Sequence, residues 1–460
     1  MQICVVDYTE DNRNKAGNRI LFWMIAIFVI SLIARLEYRS ALVIDTPIRG
    51  DAYYYLSYAH NLVEHHVFAK EPTFNSDKIP EPDSFWPPGF PFLLSSALRI
   101  GGLSGSGFYP IATLYNAVLG ALIAPMIFYI CLQIMPIRFS VGASLITAFS
   151  PHLISIGGYI LTETLFTFLI VSSFVFTIIG SKNQSLLSGA ISGLLMGLAC
   201  LTNPVILFFP FIVAGFVYKK DTAQNRHRFF SISTSYLFLF IIVIGCWETR
   251  NFISVQHSSQ SATNRAVINL MNGLYPDYHE AFMKGITKRP DYPMNLDIIK
   301  AEGSPAKALI IIAENIINNP VKYLSWYLIE KPLLFWSWDI HIGVGDIYVY
   351  PVIQSLFTTS IIWNGIRILF KYFNPLFIII NFVGIALFFI QLFTKSKKID
   401  IQIWLTLILI LYSTLIYTIF YPDPRYSIPF RPAFYIFFVW ILYQIKEQSG
   451  MKRGDVSGRT

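Results

Sequence analysis

Charged side chains are scarce in this chain: Asp, Glu, Lys and Arg make up 13% of 460 residues, 54% are hydrophobic, and mean hydropathy is +0.52. That balance excludes a soluble domain of this length and defines an integral membrane protein. Cysteine is equally sparse. Cys131, Cys200 and Cys246 fall in apolar runs and Cys4 in the polar start, so neither a disulfide framework nor a zinc-ligand spacing can be assembled. The eight histidines are scattered, and the one close pair, His65-His66, fits a solvated loop better than a metal site. Gly-rich phosphate loops, G-x-S-x-G and H-E-x-x-H motifs, heptads and repeats are all missing, which leaves soluble nucleotide chemistry without support. A substrate delivered by the membrane is the natural alternative. The start, Met1 to Arg19, is polar and mixed in charge rather than a cleavable signal, so Ile20 to Ala34 reads as an uncleaved first span.

What is present is a series of apolar runs near the roughly 20 residues a helix needs to cross a hydrocarbon core of about 30 Å. Further spans are expected near Phe108–Ile134, Ser140–Ile156, Ile160–Gly180, Leu186–Leu201, Pro204–Tyr218, Phe229–Trp247, Pro375–Phe393, Ile401–Phe420 and Ser427–Tyr443. The expected fold is therefore an all-α bundle of about ten (10–13) transmembrane helices, because barrel strands would alternate apolar and polar residues.

Basic residues in short connectors set the orientation. Lys219, Lys220, Arg226 and Arg228, then Lys395, Lys397 and Lys398, then Lys446, Lys452, Arg453 and Arg459 fall on one side, with Arg138 and Lys182. By the positive-inside rule that side is the cytoplasm, so both termini are expected there and the net charge of +8 is a topology signal rather than a nucleic-acid footprint. The expected organisation is a tail at 1–19, an N-terminal transmembrane module at 20–248 with an outer loop at 35–107, and a second outer loop at 249–374. C-terminal helices at 375–445 and a cytoplasmic tail at 446–460 complete it. The amphipathic stretch Lys307–Asn319 and the aromatic stretch Tyr323–Trp338 read as helices at the headgroup level, and Tyr348–Phe370 is read as interfacial rather than as an extra span.

The chemistry-bearing residues gather at the outer ends of spans. Asp51, in Arg49-Gly50-Asp51-Ala52-Tyr53-Tyr54-Tyr55, stands where a short helix begins and is readable either as its N-cap or as a catalytic carboxylate. Glu163 starts a span, where the helix N-terminus favours a negative charge and where an acid is also a functional candidate. Arg250 and Arg425 break the positive-inside bias. A lipid phosphate would explain them, since guanidinium matches phosphate oxygens bidentately, and for Arg425 a pair with Asp423 is the alternative.

In order along the chain, Gly50-Asp51-Ala52, Trp86-Pro87-Pro88-Gly89-Phe90-Pro91, Leu161-Thr162-Glu163-Thr164-Leu165-Phe166, Leu198-Ala199-Cys200-Leu201-Thr202-Asn203-Pro204, Trp247-Glu248-Thr249-Arg250-Asn251, Asn319-Pro320-Val321-Lys322-Tyr323-Leu324 and Arg425-Tyr426-Ser427-Ile428-Pro429 resemble the landmarks of the GT-C glycosyltransferases. The likeness is to the family 39 and 83 type, which includes protein O-mannosyltransferases and lipid A aminoarabinose transferases. It departs from them at Ala52, where Glu is frequent, at Asn203, where Arg is, and at Trp86, where the aminoarabinose enzymes carry Lys.

The resemblance implies a GT-C bundle with two large outer loops containing juxtamembrane helices. It implies transfer of one sugar from a polyprenyl-phosphate donor to a glycan, lipid or protein acceptor at the outer face of the inner (plasma) membrane. Asp51 would act as general base on the acceptor hydroxyl or orient it, and Glu163 would be a second acid placing the acceptor or a divalent cation; metal use stays open. Arg425 and Arg250 would bind the donor phosphate, and Tyr54, Trp86, Pro87 and Pro88 would form a substrate loop. A transporter or flippase of lipid-linked sugars, or an oligosaccharide polymerase or ligase, are the competing readings. A transporter would instead show ionisable residues in mid-span and paired inverted repeats.

Overall fold

The computed structural model describes residues 10–74, 78–103, 107–219, 226–255, 261–394 and 400–457. Lys220, Lys395, Lys397, Lys398, Arg459 and Cys4, used above for topology and cysteine chemistry, lie outside them. Helices dominate, and the bundle is a multi-pass membrane architecture. Among the described residues seven helices are long and apolar enough to cross a membrane, or eight if the bent pair Ile137–Phe149 and Pro151–Gly158 is one span. The spans expected near 186–201 and 204–218 are present as shorter apolar helices, Leu186–Thr202 and Pro204–Phe216. The expected total of about ten therefore exceeds what length and apolarity establish.

Local chemistry explains how the helices end and meet. Ser150 is extended (ψ 116°) because Pro151 follows it, and the bent pair turns by 48° there. The break frees carbonyls of the first half, and Arg35 Nη1 donates to one of them, Ala148 O, at 3.2 Å while also holding Ser31. Arg35, read above as the start of the outer loop, is thus buried inside a first span that continues to Ala41. Gly189, Gly193 and Gly197 share one face of Leu186–Thr202, where a Cβ at Gly193 would come within 1.9 Å of Tyr236 O. These small residues let that helix lie directly against Arg226–Ser254.

The stretch Tyr348–Phe370 corrects the interfacial reading. Its last ten residues, 361–370, belong to Ile361–Thr394, a single helix with Pro375 in its interior, because a proline can be accommodated inside a membrane helix as well as at its start. Its 30-residue apolar part spans roughly 45 Å at 1.5 Å per residue, more than one hydrocarbon core. The early Arg367 and Lys371 pair with Asp346 and Asp339, as polar surroundings require. The span begins earlier than expected, but none is added.

The second loop has a core of its own, built from Val267, Leu270, Met271, Leu274, Tyr278, Ile312, Tyr323 and Trp326. The amphipathic stretch is the helix Pro305–Asn318. The aromatic belt expected over Tyr323–Trp338 faces protein instead: Trp326, Phe335, Trp336 and Trp338 are buried, and Trp336 stacks on Phe434 at 4.1 Å. The two long loops are joined by a short antiparallel pair, Val43–Ile44 with Val352–Gln354, extended by Asp45 N to Pro351 O at 2.9 Å.

Candidate active site

Three residues from distant parts of the chain meet where the loops join the bundle. Gly50, at φ 54°, turns the chain into the helix Asp51–Glu64 and holds its N-cap position without any side-chain cap. Asp51 is the first helical residue, and its Oδ2 lies 2.8 Å from Arg425 Nη1. The carboxylate therefore binds a guanidinium rather than capping its own helix. Glu163 opens the helix Glu163–Asn183, and its Oε1 lies 2.5 Å from Arg425 Nε. Glu163 Oε2 is buried with no hydrogen-bond partner among the described residues.

Arg425 sits in the 3-10 turn Pro424–Phe430, which Asp423 organises: Oδ1 accepts Arg425 N at 2.8 Å and Oδ2 accepts Ile342 N at 2.7 Å. Asp423 thus supports the Arg425 backbone while the side chain points at Asp51 and Glu163. Burial pushes the Asp423 carboxyl above its ordinary range, and its two backbone donors and Arg425 oppose that. Two carboxylates sharing one guanidinium leave a formal charge of −1. Exposure separates their tasks, since the Asp51 side chain is 30% accessible and that of Glu163 is 5%. Only Asp51 presents an open carboxylate.

An aromatic wall stands next to Asp51. Tyr54 stacks on Trp86 at 6.0 Å and Tyr55 meets Trp86 edge-on at 5.2 Å. Tyr350 reaches the same turn, where its hydroxyl accepts Ala52 N at 3.4 Å. Pro87 and Pro88 lead into the helix Gly89–Gly101, and a Cβ at Gly89 would lie 2.4 Å from Thr202 Oγ1, so the glycine permits this loop to seat on the end of Leu186–Thr202.

Arg265 is a site residue that sequence reasoning did not select. It lies on Ala262–Leu274, with its guanidinium 4.2 Å from the centre of the Trp86 ring. Its charge is close enough to act on Tyr55, and none of its described contacts is with a carboxylate. Its only textual signal is an unpaired arginine in a polar loop.

Arg250 takes a different place. Nη1 donates to Asp83 O at 2.8 Å and to Asn251 Oδ1, Nη2 donates to Phe68 O at 3.0 Å, and the cation lies over the Phe68 and Trp247 rings. These contacts bind the first loop to Arg226–Ser254 and do not join Arg250 to Asp51, Glu163 or Arg425. Asp83 is the other tie of that loop, accepting from Tyr58 and from Phe85 N. No cluster of three His, Cys, Asp or Glu side chains suited to a metal ion occurs among the described residues; the two acids here are bridged by a guanidinium.

The fold is that of the GT-C glycosyltransferases. The oligosaccharyltransferase AglB from Archaeoglobus fulgidus, in complex with an inhibitory peptide and a dolichol-phosphate, superposes with a TM-score of 0.52 at 14% identity, covering 96% of this chain and 52% of that one. The same enzyme tethered to an acceptor peptide gives 0.53 at 12%, covering 94% and 50%. The chain thus spans about half the length of these enzymes. ArnT from Cupriavidus metallidurans bound to undecaprenyl phosphate is more distant, with a TM-score of 0.36 at 12% identity, covering 93% and 77%. Residues 105–251 match the family model described as dolichyl-phosphate-mannose-protein mannosyltransferase. No curated protein matches the chain by sequence.

Proposed function

We propose that this protein is a membrane glycosyltransferase that moves one sugar from a polyprenyl-phosphate donor to a hydroxyl acceptor at the extracytoplasmic face, with both termini cytoplasmic. The observation that carries the reading is the Asp51–Arg425–Glu163 constellation, with one carboxylate open and one sealed. Asp51 takes the acceptor proton as the acceptor oxygen bonds to the anomeric carbon. The bond from that carbon to the phosphate oxygen breaks, and polyprenyl phosphate leaves as an anion that needs no protonation. Glu163 keeps Arg425 in place, and Arg425 turns the Asp51 carboxylate toward the acceptor. The leaving phosphate requires positive charge. Arg425 Nη2, which makes no described bond, and Arg265 on the Trp86 face are better disposed for it than Arg250, whose donors are occupied. Tyr54 and Trp86 offer a flat apolar face for a sugar ring.

The dolichol-phosphate bound by AglB supports a lipid-phosphate carrier, and the mannosyltransferase match over 105–251 supports a hexose as its cargo. The test is incubation of the purified protein with a panel of radiolabelled polyprenyl-phosphate sugars and cell-envelope extract. Label is expected to leave the lipid and appear in a glycan, lipid or protein acceptor. Label that only changes membrane side would point to a flippase and overturn the transferase reading.

A further inference from the structure

Lys331 is the one lysine buried among the described residues, at 0% accessibility, and nothing in the chemistry proposed above uses it. It begins the short helix Lys331–Phe335, directly after a π-helical turn over Trp326–Glu330. Such turns are rare and frequently occur at functional sites. Its described hydrogen bonds go to carbonyls at the end of Ile401–Ile419: Thr418 O at 2.8 Å, Phe420 O at 3.1 Å and Ile419 O at 3.5 Å. The amino group also lies 3.8 Å from the centre of the Tyr327 ring and 5.6 Å from that of Trp326. Burial pulls its pKa down to about 6, so it acts there as an N–H donor that satisfies carbonyls with no partner within the helix.

The location gives the contact its consequence. Phe420 is followed within five residues by Asp423 and Arg425, the turn that aims the guanidinium at Asp51 and Glu163. Trp326, on which Lys331 rests, donates Nε1–H to Gly273 O at 2.9 Å, at the end of the helix that carries Arg265. Gly273 packs so closely on Phe420 that a Cβ would lie 2.6 Å from Phe420 O. One buried amino group therefore sits where the Arg425 segment, the Arg265 helix and the second outer loop meet.

We propose that Lys331 is a positioning residue, fixing the carbonyl end of Ile401–Ile419 so that the 421–425 segment holds Arg425 in register with the two carboxylates. The proposal rests on the reading of Asp51, Glu163 and Arg425 as the reacting site. Lys331 touches no substrate; it acts through Arg425. A displacement of about 1 Å at such a group can cost roughly 100-fold in rate.

The test uses the full chain in detergent micelles, with a polyprenyl-phosphate mannose as donor and two readouts. Lys331→Met keeps the apolar stem and removes the donors; Lys331→Gln retains an amide donor and replaces it if the Met variant does not fold. Turnover is expected to fall roughly 10- to 100-fold with donor KM changed less than about threefold, and no further loss is expected when the substitution is added to Arg425→Lys. Hydrogen exchange is expected to rise over 421–430. Full multiplication of the Lys331 and Arg425 effects, unchanged turnover, or faster exchange confined to 326–335 would each overturn the positioning role. Absence of transfer by the wild-type protein would count against the transferase reading alone, since exchange over 421–430 still decides the part played by Lys331.

Discussion

Replacing Asp51 with Asn separates the chemical role of this residue from its structural one. Asn keeps the size and an oxygen that can accept from Arg425 Nη1, now 2.8 Å from the carboxylate, but it cannot take a proton. The structural cost should be small, because an ion pair with a 30% accessible acid is partly screened and Arg425 retains Glu163 as counter-charge. About 1 kcal/mol or less is expected. Helix start should hardly respond, since Gly50 rather than Asp51 occupies the cap. Loss of a general base lowers turnover by roughly 100- to 10,000-fold, equivalent to about 3 to 5 kcal/mol of barrier at 1.36 kcal/mol per decade. The assay is single-turnover transfer from a radiolabelled polyprenyl-phosphate sugar, beside a thermal melt and donor binding on the same preparation. Near-wild-type turnover would refute the assignment. If Glu163→Gln were then inactive, the base would be Glu163, and if both substitutions were tolerated, the site as drawn would fail.

Four further outcomes are expected. Arg425→Leu leaves the buried Glu163 without a counter-charge, so it should destabilise the fold by about 3–5 kcal/mol; adding Glu163→Gln should recover most of that in thermal melts, and an additive loss would show that the pair is not coupled. Arg265→Gln should weaken donor binding while Arg250→Ala leaves it unchanged and instead makes the first loop easier to cleave by protease, because Arg250 is bound to Asp83 O and Phe68 O. The reverse pattern would restore the phosphate role to Arg250. Burial, and then the neighbouring His341, lower the His279 pKa below the usual 6.5, so the unfolded chain binds the extra proton first: this contribution is present above about pH 6.5 and is lost as pH falls toward the folded value. A melting series from pH 7.5 to 5 should show that loss, and His279→Gln should reduce it. Reporter fusions after Lys78 and Lys288 should lie outside and fusions after Lys220 and Lys397 inside; agreement between the last and the fusion after Lys288 would change the span count between them.

The constellation of acids and arginine was legible because a charge at the edge of an apolar run is costly and visible. Asp51, Glu163 and Arg425 each interrupt such a run or its boundary, and the parity of the spans already put their ends on one side. Partner choice was not legible. Arg250 and Arg425 look alike in text, yet one binds backbone carbonyls and the other binds carboxylates, a difference set by contacts spanning most of the chain. Arg265 and Lys331 were missed for the same reason: their roles depend on Trp86 and on the end of Ile401–Ile419, both far away in sequence. The aromatic stretch 323–338 shows the limit of composition, because Trp and Tyr suit an interface and a packed core equally, and only the second core and Phe434 decide the matter. Pro375 marked a plausible helix start, while the true start at Ile361 lay behind ordinary apolar residues.

The way the buried basic side chains are partnered has a consequence for assembly. Arg35 needs the Ala148 carbonyl, 113 residues further on, Lys331 needs Thr418, 87 residues on, and Arg425 needs Glu163, 262 residues back. Each of these contacts joins segments far apart in the chain, so none of them can form from its own segment alone. The Arg425 contacts with Asp51 and Glu163 can therefore form only once the turn Pro424–Phe430 has been made and has met the starts of Asp51–Glu64 and Glu163–Asn183.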